Sequence, residues 1–321
     1  MKKHKIFVTR KIPEVGLNLL KKQKNFEVKI SPYDRVLTSI ELVRKVKNCS
    51  SILSLLTDKI DASVMKAAGD NLKIVANYAV GFDNIDINYA KKNKIIVTNT
   101  PGVLTDAVAE LTMALVLSAT KRIVEADKFT RAGKFKGWAP LLFLGAELKG
   151  KTLGIVGAGR IGLAVATRAQ GLGMKIIYSS HKRNPKFEKA TRGKFVSLNA
   201  LLKNSDVISL HVPLTPQTTH LIGLGQLKQM KSTAYLINTS RGQVVDEHAL
   251  VKVLQQGTIA GAALDVFECE PRLSQGLNTL RNVVLTPHIA SGTIETRSKM
   301  AEIAAQNIIN VLHDKKPLTP I

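Results

Sequence analysis

A chain of 321 residues, 45% of them hydrophobic, is long enough for two globular domains, and no apolar run approaches the length of a membrane span. The net charge of +23 comes from lysines scattered along the chain, without zinc-finger spacing or interleaved aromatic and basic residues, which argues for a solvated basic surface and against a nucleic-acid partner. Two cysteines, Cys49 and Cys269, make no disulfide framework, no His/Cys/Asp cluster suggests a metal, and the basic start Met1-Lys2-Lys3 precedes too short an apolar run for a signal peptide, so a cytoplasmic location is expected.

The first hundred residues alternate short apolar runs with amphipathic ones. Strands are predicted at Ile6–Thr9, Phe26–Ile30, Ser51–Leu56, Leu72–Ala76 and Ile95–Val97, and helices at Val15–Leu20, Leu37–Val46 and Ala62–Ala68. That is the pattern of a parallel sheet covered by helices. Thr100-Pro101-Gly102 punctuates the chain, and one long apolar helix is predicted over Asp106–Ala126. The less regular stretch 129–150 carries Trp138 and Leu141-Leu142-Phe143-Leu144, apolar enough for core packing, an interface or a pocket wall. Strands resume at Thr152–Val156, Lys175–Ser179, Val207–Leu210, Ala234–Ile237, Ile259–Leu264 and Val283–Leu285, and a last long helix is predicted over Gly292–Leu312.

Within this second block, strand Thr152–Val156 runs into Gly157, Gly159 and Gly162, then into a helical pattern over Ile161–Leu172, then into strand Lys175–Ser179. Strand, glycine turn, helix and strand together make a dinucleotide site. Gly157 permits the tight turn, Gly159 lets backbone approach a pyrophosphate, and Gly162 lets the helix pack close to the sheet. The helix N-terminus offers N–H groups to the phosphates. A site for NAD carries an acid about 20 residues on. Here Ser180 stands 23 residues past Gly157, followed by His181, Lys182 and Arg183. An acid would repel a 2′-phosphate, whereas a hydroxyl with three potentially cationic neighbours attracts one. NADPH is therefore the expected cofactor, with NADH also possible.

Three polar residues follow predicted strands in the same block: Arg241, Glu270 and His288. In an open parallel sheet, ligands bind beyond the carboxyl ends of the strands, so the three can converge. Arg suits a planar two-oxygen anion, and His exchanges a proton near neutral pH.

Several longer stretches now join these motifs in order: Asn77-Tyr78-Ala79-Val80-Gly81-Phe82-Asp83-Asn84, Asn99-Thr100-Pro101-Gly102, His211-Val212-Pro213-Leu214-Thr215, Asn238-Thr239-Ser240-Arg241-Gly242, Leu264-Asp265-Val266-Phe267 with Glu270-Pro271, and Thr286-Pro287-His288. The chain resembles the D-isomer-specific 2-hydroxyacid dehydrogenases over nearly its whole length, and within them the glyoxylate/hydroxypyruvate reductases. The resemblance implies an α/β fold of two Rossmann-like domains with parallel sheets and the active site in the cleft between them. Residues 1–99 with 288–321 would form the substrate domain, and 100–287 the nicotinamide dinucleotide-binding domain. It implies that Arg241 binds the substrate's carboxylate and carbonyl oxygens, that His288 is the acid/base, and that Glu270 orients it. Backbone N–H groups of Val80 and Gly81 would hold the substrate carboxylate, and Leu55 would line the pocket. Gly157, Arg160 and Ile161 would lie at the pyrophosphate. Thr105, Thr239 and Asp265 would lie near the nicotinamide, and His211-Val212-Pro213 would also belong to the cofactor site. A homodimer is implied, in which Trp138 can reach the partner's substrate pocket. The expected reaction is reduction of glyoxylate or hydroxypyruvate to the D-2-hydroxyacid. The alternatives are a broad 2-ketoacid reductase, phosphoglycerate dehydrogenase and, from another class, a cofactor-sensing corepressor.

Overall fold

The computed structural model describes residues 3–321 and divides into two compact units. The first comprises the described residues up to Leu104 together with Ser291–Ile321, and the second is Thr105–Ala290. The sequence reading places the domain boundaries at 99 and 288, and the compact units divide at 104 and 290. His288 falls in the second unit, not the first, because its N–H donates to the Asp265 carbonyl while the N–H groups of Ile289 and Ala290 donate to the Asp265 carboxylate.

The first unit runs β1 (His4–Val8), α1 (Glu14–Lys21), β2 (Phe26–Ile30), α2 (Ser39–Lys45), β3 (Ser51–Leu55), α3 (Ala62–Ala68), β4 (Ile74–Tyr78), α4 (Ile87–Lys92) and β5 (Ile96–Thr98). Its five strands are parallel, in the order β2-β1-β3-β4-β5. Helices α2, α3 and α4 start where short polar side chains take up orphan N–H groups: Thr38 and Glu41 form a capping box, and Asp61 and Asp86 cap α3 and α4. Helix α4 is too short for its periodicity to show in the sequence. Strand β4 is buried along its whole length, as a central parallel strand covered on both faces should be.

The second unit runs α5 (Thr105–Thr120), α6 (Ile123–Arg131), β6 (Thr152–Val156), α7 (Arg160–Gly171), β7 (Lys175–Ser179), α8 (Pro185–Thr191), β8 (Lys194–Phe195), α9 (Leu198–Asn204), β9 (Val207–Leu210), α10 (Leu224–Leu227), β10 (Tyr235–Asn238), α11 (Glu247–Gln255), β11 (Gly261–Leu264) and β12 (Val283–Leu285). The seven strands are parallel, in the order β12-β11-β10-β9-β6-β7-β8. The last helix, α12 (Ile294–Leu312), returns to the first unit and packs on β4 and α1.

One expectation fails here. The predicted helix over 106–126 is two helices, because Arg122 takes left-handed backbone with φ 57°. The Thr120 carbonyl accepts from Ala146 N–H at 2.9 Å, and the Arg122 guanidinium pairs with Glu125 at 2.8 Å while lying 5.1 Å over the Phe143 ring. These contacts with the 143–146 loop hold the break, and they are invisible to an apolar periodicity that runs straight through it. Among the described residues no helix is long and apolar enough to cross a membrane.

Candidate active site

In the second sheet β6 lies between β7 and β9, so the strand order reverses beside it. Crevices at such a reversal take nucleotides. The chain leaves β6 through Gly157, whose φ of +102° suits glycine, and a Cβ there would stand 2.6 Å from the His211 carbonyl oxygen. His211 N–H in turn donates to Val156 O at 2.7 Å, locking the ends of β6 and β9 together. A Cβ on Gly162 would strike the Gly157 carbonyl, whereas one on Gly159 would meet nothing within 4 Å. The turn is thus packed from below and open at Gly159. Helix α7 then starts with no side-chain cap and no acid in its first turn. Its exposed start at Arg160 and half-buried Ile161 leaves N–H groups and a positive dipole end to an anion. These features fit a dinucleotide pyrophosphate.

At the end of β7, Ser180 is half-buried and donates its hydroxyl to the Lys182 carbonyl, while His181 and Lys182 are exposed. Arg183 differs from expectation in one respect: its guanidinium already grips Glu188 at 2.8 Å through two nitrogens. Glu188 also accepts from Tyr178 Oη at 2.7 Å. The sequence reading missed Glu188, and it missed Asn184, whose Nδ2 donates to Ala158 O at 2.8 Å and ties this turn to the glycine turn. His211 is partly buried, with Nε2 2.8 Å from Ser209 Oγ, and its removal from water pushes its pKa down to about 3. Val212 is half-buried beside it, and the exposed Pro213 accepts from Thr218 through its carbonyl at 2.6 Å.

Beyond β10, β11 and β12, the structure brings the three singled-out residues together. His288 Nδ1 lies 2.9 Å from Glu270 Oε2 and 3.1 Å from Oε1. Phe267 N–H donates to the same carboxylate at 3.1 Å. Burial acts to raise the Glu270 pKa, but the His288 hydrogen bond and charge, the Phe267 N–H and the Arg241 charge bring it below its ordinary value. Arg241 donates to the Ser240 carbonyl at 2.9 Å, and its own carbonyl accepts from Asn238 Nδ2 at 2.9 Å. The next residue, Gly242, sits so close to the Phe267–Glu268 backbone that a Cβ would overlap it, which presses the Arg241 loop onto the Glu270 loop.

His288 itself holds left-handed backbone, φ 54°, which is costly for a side-chain-bearing residue. Asp265 holds it there. Fully buried, its carboxylate accepts from Thr286 Oγ1 at 2.6 Å, Ile289 N–H at 2.9 Å and Ala290 N–H at 2.8 Å. The resemblance places Asp265 among the cofactor contacts; in the second unit its carboxylate also holds the His288 loop. Thr239 is likewise buried, with Oγ1 2.9 Å from Thr112 Oγ1. Thr105 opens α5.

In the first unit, Leu55 and Gly81 belong to one hydrogen-bonded cluster. Asn84 Nδ2 donates to Leu55 O at 3.1 Å, Asn77 Nδ2 donates to Gly81 O at 2.8 Å, and the two amides meet at 3.2 Å. Trp138 is 85% exposed on the loop after α6.

The model of the D-isomer specific 2-hydroxyacid dehydrogenase NAD binding domain matches residues 113–290. A glyoxylate reductase of Thermococcus litoralis is 53% identical over 96% of this chain and 93% of its own length. Among solved structures, the TT0316 protein of Thermus thermophilus superposes with a TM-score of 0.92 at 42% identity over 99% of both chains. An NADPH-dependent glyoxylate/hydroxypyruvate reductase of Sinorhizobium meliloti, in complex with NADP and malonate, superposes at 0.87 with 33% identity over 100% of this chain and 97% of that one. A Gly-rich turn at the strand-order reversal, a carboxylate-bound histidine beside an arginine, and relatives matching end to end lead to one conclusion: the chain belongs to the D-isomer specific 2-hydroxyacid dehydrogenase family.

Proposed function

We propose that this protein is an NADPH-preferring reductase of small 2-ketoacids, glyoxylate and hydroxypyruvate first, producing the D-2-hydroxyacid. The observation that carries the reaction is the Glu270–His288 pair beside Arg241. Glu270 engages Nδ1, which leaves Nε2 as the nitrogen that exchanges a proton with the substrate oxygen. In reduction, Nε2–H gives its proton to the alkoxide oxygen as it forms, and in oxidation the same nitrogen takes it back. Arg241 stabilises the negative oxygen and binds the carboxylate. Val80 and Gly81 N–H groups are assigned to the substrate carboxylate, and Leu55 is assigned as a pocket residue. The nicotinamide, when bound, supplies or accepts the hydride at the 2-carbon.

The NADPH preference rests on a serine where an acid would repel the 2′-phosphate, with Lys182 exposed next to it and no carboxylate on that turn before Glu188. The resemblance to glyoxylate reductases supports the substrate, and two free cysteines support a reducing cytoplasm. A homodimer is supported by the uncovered apolar loop, with Trp138, Leu141 and Leu144 at 85%, 80% and 61% exposure. Near that loop runs a groove of about 810 Å³ lined by Arg122, Phe129, Phe143, Tyr235 and Arg281, with neither Glu270 nor His288 in its lining. On this reading Trp138 acts in the partner's substrate pocket.

The test is steady-state oxidation of NADPH and NADH with glyoxylate, hydroxypyruvate, pyruvate, 2-ketoisocaproate and phenylpyruvate. The highest kcat/KM is expected with NADPH on one of the first two. A best rate on a bulky ketoacid would move the substrate assignment to a broad 2-ketoacid reductase, and no turnover on any would sink the enzyme reading.

A further inference from the structure

Three successive carbonyls in the first unit are each taken by a donor from a neighbouring strand end. Thr100 N–H donates to Ala79 O, Asn99 Nδ2 to Val80 O and Asn77 Nδ2 to Gly81 O, each at 2.8 Å. A trans peptide is planar, with its C=O and the following N–H pointing in opposite directions. Each anchor therefore also sets the direction of the next N–H: that of Val80, of Gly81 and of Phe82. None of these three N–H groups meets a protein acceptor among the described residues. Successive free N–H groups held by their own backbone are a known way to receive an anion.

The anchors are built in. Asn77 is 1% exposed; its Oδ1 accepts from Ser54 Oγ at 3.1 Å while its Nδ2 serves Gly81 and Asn84. Asn99 is clamped by Thr319, whose Oγ1 donates to Asn99 O at 2.6 Å and whose carbonyl accepts from Asn99 N–H at 3.3 Å. Asn307, fully buried, fixes Thr319 in turn by accepting its N–H at 3.2 Å. An amide suits both positions because it donates to a carbonyl without bringing a charge. A carboxylate at either place would set two acceptors against each other and add a negative charge near the anion.

We propose that Asn77 and Asn99 are positioning residues for the substrate carboxylate, holding the Gly81 and Val80 carbonyls so that the N–H groups of Phe82 and Gly81 join that of Val80 in a three-donor cradle. This rests on the proposed role of Val80 and Gly81 and adds Phe82 N–H to it. The contact with the carboxylate is the same before and during hydride transfer, so loosening it should raise KM and leave kcat nearly unchanged.

The experiment compares wild type with Asn77→Ala, Asn99→Ala and Asn99→Asp. Oxalate binding is measured by calorimetry in the presence of NADP, and kinetics with glyoxylate and with methylglyoxal, which has no carboxylate. Each variant should bind oxalate at least tenfold more weakly and raise the KM for glyoxylate by at least tenfold, with kcat within about threefold. NADPH affinity and kcat/KM for methylglyoxal should stay at the wild-type level, and Asn99→Asp should be the most impaired. Equal losses on both substrates, unchanged oxalate affinity, or a wild type that does not bind oxalate would each overturn the proposal. If Asn77→Ala does not fold, the half-buried Asn99 variants decide alone. If wild type binds oxalate but reduces no 2-ketoacid, the proposed reaction fails while oxalate affinity still decides the cradle.

Discussion

Both sheets reverse strand order beside their first strand, β1 in one unit and β6 in the other, yet the two reversals are finished in opposite ways. After β6 come a glycine turn open at Gly159 and a helix without a side-chain cap. After β1 comes Thr9-Arg10-Lys11-Ile12-Pro13, with no glycine, and the space between the ends of β1 and β3 is closed from within. Asp58, 3% exposed, accepts from Thr9 Oγ1 and from Leu55 N–H at 2.8 Å. A carboxylate of the chain itself thus sits in the first unit where the second leaves room for a phosphate. The same topology offers two crevices, and loop residues alone decide which one takes a nucleotide.

Five measurements can break or sharpen this contrast. The largest effect is expected from His288→Ala, which should lower kcat by about 10²–10⁴ while NADPH affinity stays unchanged, because the proton transfer and the dinucleotide turn are separate parts of the second unit. Next, Gly157→Ala should weaken NADPH binding by about a hundredfold or more, since its Cβ would meet the His211 carbonyl in a backbone conformation that disfavours it. Its counterpart, Asp58→Ala, should cost about 1–3 kcal/mol of stability by stranding the Thr9 hydroxyl and Leu55 N–H, and leave NADPH affinity within about twofold. Comparable losses of NADPH affinity in both variants would dissolve the distinction between the two crevices. Ser180→Asp should then shift the ratio of kcat/KM from NADPH toward NADH by about tenfold, through repulsion of the 2′-phosphate. An unchanged ratio would show that this turn does not read the ribose.

The smallest effect is in the pH dependence of stability, and it has opposite signs in the two crevices. The His211 pKa falls from 6.5 to about 3 on folding, so the unfolded chain binds a proton over that window that the folded chain does not. His211 therefore removes stability as pH falls through that range, an effect reduced because its ring is only partly buried. Burial pushes the Asp58 pKa up despite its bonds to Thr9 and Leu55 and the Arg10 charge, so its contribution is greatest below 3.8 and is lost as pH rises through the raised value. Thermal midpoints followed from pH 8 to 4.5 should decline less steeply in His211→Gln than in wild type. Parallel curves would mean that the imidazole is not held neutral by the fold.

Short-range patterns were enough to read much of the molecule. The β6–turn–α7–β7 unit, the alternation that makes two parallel sheets, and Arg241, Glu270 and His288 at successive strand ends are all legible in the chain, because strand and helix periods and glycine spacing act over a few residues. Tertiary structure decided what those patterns cannot express. It broke the 106–126 helix at Arg122 against Phe143 and the Ala146 N–H, engaged Arg183 with Glu188, tied the His288 loop to Asp265, and set Asn77 and Asn99 on the Gly81 and Val80 carbonyls. Each of these outcomes depends on which donor meets which acceptor once the chain is folded. Asp265 holds a loop 24 residues on and Asn99 a carbonyl 19 residues back, and even the close pairs depend on where a turn points its side chains. A sequence records the residues available for such pairings, and only packing selects among them.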